Sequence, residues 1–343
     1  MKTRTAKIFL DDCGSFLGRG EGCLIVRDRK GNVEKYPLFE SQIGEIHARI
    51  GNSISSAALA TCAFWGIDFL ILTQRGNPVA YLRSLDDDSH VKTRIAQYEA
   101  LKNGKGLAIA KQIVLAKIEG QNYVLKKYGL RQLDLMQFKS KIVGVETDDL
   151  KVARNRLLTI EGHATEQYFK QVFQLLPTAI GIEKRRTFKA FDGVNNTLNL
   201  AYTFLKWKVH RAIITAKLEP YLGFLHSEQF GKPSLVCDLM EPYRCLIDDF
   251  VIQYCKKLRK KDFTTKHEQY SSKRLGERQY LNKESTKDFM TELNTLFEKV
   301  VEIPRIRHGN RQTFETLINE EALLLAQYLR KERKEWAPRI FSV

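Results

Sequence analysis

The spacing of apolar residues changes period once along this chain, and that change decides what the chain can fold into. Before residue 85 the apolar residues come in short runs separated by turn formers. Lys7-Ile8-Phe9-Leu10 and Cys23-Leu24-Ile25-Val26 have strand length, and Asp28-Arg29-Lys30-Gly31-Asn32 signals a turn ahead of Val33-Glu34-Lys35-Tyr36. Residues 53–65 are alanine-rich and suit a helix. Asp68-Phe69-Leu70-Ile71-Leu72-Thr73 reads as a buried strand, closed by Arg75-Gly76-Asn77-Pro78, and Val79-Ala80-Tyr81-Leu82 as a last short one. From His90 onward the period lengthens. Residues 108–118 keep one apolar face at helical spacing, and few prolines interrupt the remainder of the chain. The pattern predicts an α+β protein. A small β-rich amino-terminal domain spans 1–85, a linker 86–95, and a larger all-α domain 96–343.

At 343 residues the chain can bury two cores. Its 43% hydrophobic and 28% charged content are ordinary for a soluble protein, but its formal net charge of +16 is not. Such an excess implies a polyanionic partner, nucleic acid first and an acidic membrane surface second. The excess is uneven: residues 1–85 carry +3 and the remainder +13, which assigns nucleic-acid contact mainly to the helical part. No apolar run reaches about 18 residues, the length of a membrane span. The basic start, Met1 to Lys7, is not followed by the apolar stretch of a signal peptide. Six cysteines, Cys13, Cys23, Cys62, Cys237, Cys245 and Cys255, form no Cys-x-x-Cys pair. Most sit among apolar neighbours, as reduced core thiols of a cytoplasmic protein would.

Within the helical part, four ionisable groups lie beside or among apolar residues, where an unpaired charge is costly. Glu161 lies on a helix predicted over 148–176, among Leu157, Leu158, Ala164, Thr165 and Tyr168 at helical spacing. It can be a site residue, or a stripe-edge glutamate reaching water over a buried stem. His226 ends Tyr221-Leu222-Gly223-Phe224-Leu225 and can be a ligand or a core histidine. Asp238 and Glu241 stand three apart and share one face of a helix. They can be site carboxylates or a variant capping box with Asp238 as the cap, although Pro242 would make Glu241 the better cap. Arg244, three residues on, can pair with Glu241 on the surface or contact DNA. A histidine with two or three carboxylates is a donor set for Mg²⁺ or Mn²⁺, not for the thiolate sites of zinc.

Three ordered segments carry a resemblance. Glu161-Gly162-His163-Ala164 runs on to Tyr168; Gly223-Phe224-Leu225 precedes His226; Ser234-Leu235 precedes Asp238-Leu239-Met240-Glu241 and Arg244. Together they resemble the CRISPR-associated integrase that inserts new spacers, the first of the numbered Cas proteins, and the likeness covers nearly the whole chain. Thr165 stands where a second alanine is common in that family, and Cys237 where a larger apolar residue is usual. The resemblance implies a metal-dependent endonuclease and integrase of antiviral defence. Its reaction would be transesterification, a DNA 3′-hydroxyl attacking a phosphodiester at a repeat boundary. It implies Glu161, His226 and Glu241 as metal ligands, with Asp238 as a further catalytic acid. It also implies a homodimer joined through the amino-terminal domain, bridged by a small companion, the second numbered Cas protein.

Basic segments flank these motifs. Lys184, Arg185 and Arg186 lie in one that mixes cations with Phe188. Lys256, Lys257, Arg259, Lys260 and Lys261, then Lys273 and Arg274, lie in another near Tyr270 and Tyr280. With Arg244 these are candidate phosphate contacts, aromatics being available for stacking, although charge runs also make ordinary solvated helix faces. Gly18-Arg19-Gly20-Glu21-Gly22 is not a dinucleotide loop, since it precedes a strand. Asp86-Asp87-Asp88 reads as linker, and His163 with Glu166 makes no zinc motif. Two rivals stand beside the integrase. A structure-selective repair nuclease would cleave without joining, and a non-catalytic nucleic-acid scaffold would show no metal-dependent turnover.

Overall fold

A computed structural model of the chain describes residues 6–38, 43–82, 91–182, 184–187, 190–271, 274–302 and 311–338. It divides into two units, Met1–Ser89 and His90–Val343. Residues 86–90 of the expected linker lie outside the described residues.

The first unit holds two four-stranded sheets. β1 (Ala6–Leu10), β2 (Phe16–Gly20), β3 (Cys23–Arg27), β4 (Val33–Pro37), β5 (Ile43–Arg49) and β6 (Ser53–Ile54) precede helix α1 (Ser56–Phe64); β7 (Asp68–Leu72) and β8 (Pro78–Leu82) come after it. One sheet has the order β1-β5-β7-β8, with β7 and β8 antiparallel and the other pairs parallel. The other is a meander, β4-β3-β2, with β6 added in parallel to β2. The turn before β4 forms as its residues dictate. Asp28 Oδ1 accepts from the N–H groups of Lys30 and Asn32, and Gly31 takes φ of 88°. Ile8, Leu10, Leu17, Leu24, Ile46 and Phe69 pack with Ala58 and Cys62 of α1 into one apolar core.

The second unit is helix-rich. α2 (Val91–Ala100), α3 (Lys105–Lys127), α4 (Leu135–Val143), α5 (Leu150–Val172) and α6 (Gly193–Thr215) come first. The short α7 (Ser234–Met240), a 3-10 turn over Glu241–Tyr243 and α8 (Arg244–Cys255) are next; α9 (Lys283–Glu298) and α10 (Phe314–Leu329) close the unit. An all-α domain was expected, yet two strand pairs are inserted: the hairpin β9 (Phe263–Ser271) and β10 (Arg274–Leu281), and the short pair β11 (Val300–Glu302) and β12 (Arg311–Thr313). The hairpin comes directly after the basic run at 256–261. Its strands, FTTKHEQYS and RLGERQYL, are mostly polar and charged with Thr and Tyr among them, and that composition hides them from a search for apolar runs.

α5 starts where Asp149 accepts from the N–H groups of Lys151 and Val152, and α6 where Asp192 accepts from that of Asn195. α3 carries Ile109, Ile113, Val114, Ile118, Val124 and Leu125 into a core shared with Leu157, Tyr168, Leu198, Leu205, Ile247 and Val251. α3 packs against α5, α8 and the Glu241 turn. The long helices α3 and α5 thus carry one part of the candidate site, and the Glu241 turn packed on α3 carries another.

Candidate active site

Two adjacent helices present matched polar pairs in an otherwise apolar interface. Lys117 and Gln121 lie one turn apart on α3; Glu161 and Thr165 lie one turn apart on α5. Lys117 Nζ donates to Glu161 Oε1, and Gln121 Nε2 donates to Thr165 Oγ1 at 3.0 Å. Thr165 in turn donates to Glu161 Oε1 at 2.8 Å, so Glu161 is oriented from two directions. Thr165 therefore supplies a hydroxyl that links Gln121 to Glu161.

The Lys117 ammonium also reaches Glu241, 2.6 Å from Oε2, while Arg244 Nε lies 3.1 Å from the same oxygen. Glu241 is 3% exposed and Lys117 8%. Burial alone would raise the Glu241 pKa, but Arg244, Lys117 and His226 outweigh it and hold the carboxyl down at about 2. Burial would likewise lower the Lys117 pKa, and Glu241 and Glu161 together hold it above its ordinary value instead. The Arg244 pair, expected on the surface, is internal: its partner is buried and its guanidinium stands 4.7 Å from the centre of the Tyr202 ring.

His226 is placed by its loop. The fully buried Asp238 carboxylate accepts from the N–H groups of Phe224 at 2.5 Å, Leu225 at 2.9 Å and His226 at 2.9 Å. His226 Nδ1 lies 2.8 Å from Asp238 Oδ1. Arg154 takes the opposite side of the loop, donating to the carbonyls of Gly223 at 2.6 Å and Phe224 at 2.9 Å. Gly223 allows this close approach, because a Cβ there would lie 2.8 Å from the backbone of both His226 and Ser234. No capping box forms. Asp238 sits inside α7, whose cap is Pro233, and its side chain turns back onto the loop. The oxygens of Asp238 are committed to this loop, and neither Asp238 nor His226 is among the residues lining the cavity next to Glu241.

That cavity holds about 240 Å³ and is lined by Lys117, Glu161, Arg185, Tyr202, Glu241 and Asp248 among others. Tyr202 donates to Asp248, whose carboxyl is pushed up to about 6 by burial, against the lowering effects of Tyr202 and Arg185. Arg185 turns inward as well, donating to Asn195 Oδ1 at 2.9 Å and Asn199 Oδ1 at 2.7 Å. Arg185 and Arg244 are thus cavity residues, not members of an outer phosphate-contact surface. Lys184, Arg186, Lys256, Lys257, Arg259, Lys260 and Lys261 do face solvent. Lys256 stands 4.5 Å from the Tyr128 ring centre, and Lys257 pairs with Glu292 at 3.3 Å. Lys273, Glu183, Phe188 and Lys189 lie outside the described residues, as do the side chains of Tyr270 and Arg274.

The structure thus brings Glu161 and Glu241 together around one ammonium, and sets His226 close enough to Glu241 to depress its pKa. Among the described residues, no three or more His, Cys, Asp and Glu side chains are gathered into a ready metal cage. The donor chemistry nevertheless fits a hard divalent cation. Two carboxylates already converge on a cation, and with Asp238 on Nδ1 the imidazole keeps Nε2 for a ligand. Lys117, Thr165, Gln121 and Arg154 escaped the sequence reading. The available signal was polar residues in an apolar stripe: Lys117 and Gln121 fall in line with Ile113 and Val124.

A sequence model of the family described as CRISPR associated protein Cas1 matches residues 8–295. The chain belongs to the Cas1 family. A CRISPR-associated endonuclease Cas1 of Pyrobaculum aerophilum is 33% identical over 253 residues, covering 72% of this chain and 81% of that protein. One from Francisella tularensis subsp. novicida is 30% identical over 249 residues, covering 71% and 77%. Among solved structures, a casposase bound to integration product superposes with a TM-score of 0.78 at 21% identity, covering 98% of this chain and 94% of that one. A Cas1 protein from Thermotoga maritima gives 0.74 at 20% identity, covering 94% and 96%. These likenesses place the β-rich unit and the helix-rich unit in the Cas1 fold. No helix among the described residues is long and apolar enough to cross a membrane.

Proposed function

We propose that this chain is a metal-dependent DNA integrase and endonuclease of CRISPR adaptation, acting by transesterification. The observation that carries the reading is the convergence of Glu161 and the buried Glu241 on one point, with His226 near enough to act on Glu241, in a chain of this family. The names of its relatives support it: curated Cas1 proteins are called endonucleases, and a structural neighbour is a casposase bound to integration product. Other neighbours are a Cas6-RT-Cas1–Cas2 complex and a Cas1–DNA complex. We accordingly take DNA and the small companion Cas2 as partners, and a homodimer as the working assembly.

In this reading Glu161, Glu241 and His226 hold Mg²⁺ or Mn²⁺, which would activate a hydroxyl and offset charge on the reacting phosphate. A 3′-oxygen forms a new bond to phosphorus as the bond to the departing strand's 3′-oxygen breaks. One phosphodiester replaces another, so no energy-carrying co-reactant is needed, and the proton passes from the attacking to the leaving hydroxyl. Asp238 orients His226 and is a positioning residue. Arg244 and Arg185 place positive charge along the cavity, and the outer lysines and arginines hold the duplex without reading sequence.

The test is joining of a labelled 3′-hydroxyl duplex into repeat DNA, with and without the companion protein, in Mn²⁺ or EDTA. Joined product that needs both the metal and His226 supports the reading. Cleavage without joining would favour a repair nuclease, and no metal-dependent turnover would favour a scaffold.

A further inference from the structure

Lys117 makes the candidate site electrically complete without any metal. Two carboxylates, Glu161 and Glu241, face two cations, Lys117 and Arg244, and Lys117 touches both carboxylates. Buried carboxylates that converge on one point repel each other unless a cation stands between them. Lys117 reaches that point from α3 on a flexible stem ending in a rotatable ammonium, which can leave it. The planar guanidinium of Arg244 stands to one side, on Glu241 and over Tyr202. A cavity of about 240 Å³ adjoins the ammonium and offers it somewhere to go.

We propose that Lys117 is a placeholder for the divalent cation: its ammonium keeps Glu161 and Glu241 convergent in the metal-free protein and withdraws from between them when the metal binds. The inference rests on reading these residues as a cation site. Metal entry is then a competition between the ion and a tethered ammonium. The withdrawn ammonium leaves a net positive cavity, so a phosphodiester and the metal favour each other's binding.

The experiment measures Mn²⁺ affinity of the full chain by EPR, without DNA, and thermal midpoints with and without Mn²⁺. Wild type is compared with Lys117→Met, Lys117→Gln, Glu161→Gln and Glu241→Gln. Both Lys117 variants should bind Mn²⁺ more tightly, by about tenfold or more, since the competing ammonium is gone. They should melt earlier than wild type in EDTA and gain more from Mn²⁺ than wild type does. Unchanged or weaker Mn²⁺ binding in both variants, or failure of both to fold at saturating Mn²⁺, would overturn the placeholder while leaving a cation site that wild type still occupies. Wild type that binds no Mn²⁺, or binds it as well after Glu161→Gln and Glu241→Gln, would overturn both readings.

Discussion

His226 and Asp238 are joined by a 2.8 Å hydrogen bond between imidazole Nδ1 and carboxylate Oδ1, and the same carboxylate accepts the N–H groups of residues 224, 225 and 226. One buried group therefore fixes both the backbone that carries the histidine and the ring nitrogen that faces away from the loop. An ionised carboxylate can only accept, so Nδ1 carries the proton and Nε2 keeps its lone pair.

Asp238→Ala should leave three backbone N–H groups without their acceptor. At about 1–3 kcal/mol for each buried donor left unsatisfied, the loss should be several kcal/mol. Urea midpoints measure it, and the nitrogen shifts of the His226 imidazole should show loss of the single tautomer. Asp238→Asn, which keeps one acceptor oxygen, should lose less stability.

Glu241 should dominate part of the acid limb of stability in metal-free buffer. Its carboxyl lies at about 2 in the fold against an ordinary 4.5, so the folded state binds fewer protons over that interval. The contribution, about 3 kcal/mol, is complete above pH 4.5 and lost as pH falls to 2. Stability against pH in EDTA should therefore be flatter between those limits for Glu241→Gln than for wild type.

Asp248 should act with the opposite sign. Its pKa is raised from 3.8 to about 6, so the folded state holds the proton longer than the unfolded chain does. Stability falls as pH rises between those values, by about 3 kcal/mol, and is level above them. The wild type should lose stability relative to Asp248→Asn over this window in chemical denaturation. A constant difference would remove Asp248 as the titrating group.

Duplex binding should depend on the outer cations and not on the inner ones. Replacing Lys256, Lys260 and Lys261 by alanine should reduce the slope of log affinity against log salt by about 1 for each lost phosphate contact. Mn²⁺ affinity should stay unchanged. Fluorescence anisotropy across a salt series reads the slope.

The change of apolar period near residue 85 was enough to separate the β-rich unit from the helix-rich one, because burial alone sets it. The hairpin at 263–281 was hidden, because its strands are polar and no apolar alternation marks them. Glu161, His226, Asp238 and Glu241 were legible as charges beside apolar neighbours. Their division of labour was not: Asp238 serves the loop because backbone N–H groups 12 to 14 residues away meet its one carboxylate. Arg185 and Arg244 line the cavity and not the outer surface, a difference that composition cannot give because it does not say which way a cation turns. Lys117 lay 44 residues from Glu161, and only the packing of α3 on α5 brings the two together.

If Glu161, Glu241 and His226 share one divalent cation, anomalous scattering from Mn²⁺-soaked crystals will locate it. One strong manganese peak is expected within about 2.5 Å of an oxygen of each carboxylate and of His226 Nε2, with the Lys117 ammonium moved away from between the glutamates. A peak bound elsewhere, or none at saturating Mn²⁺ with Lys117 still bridging Glu161 and Glu241, would contradict it.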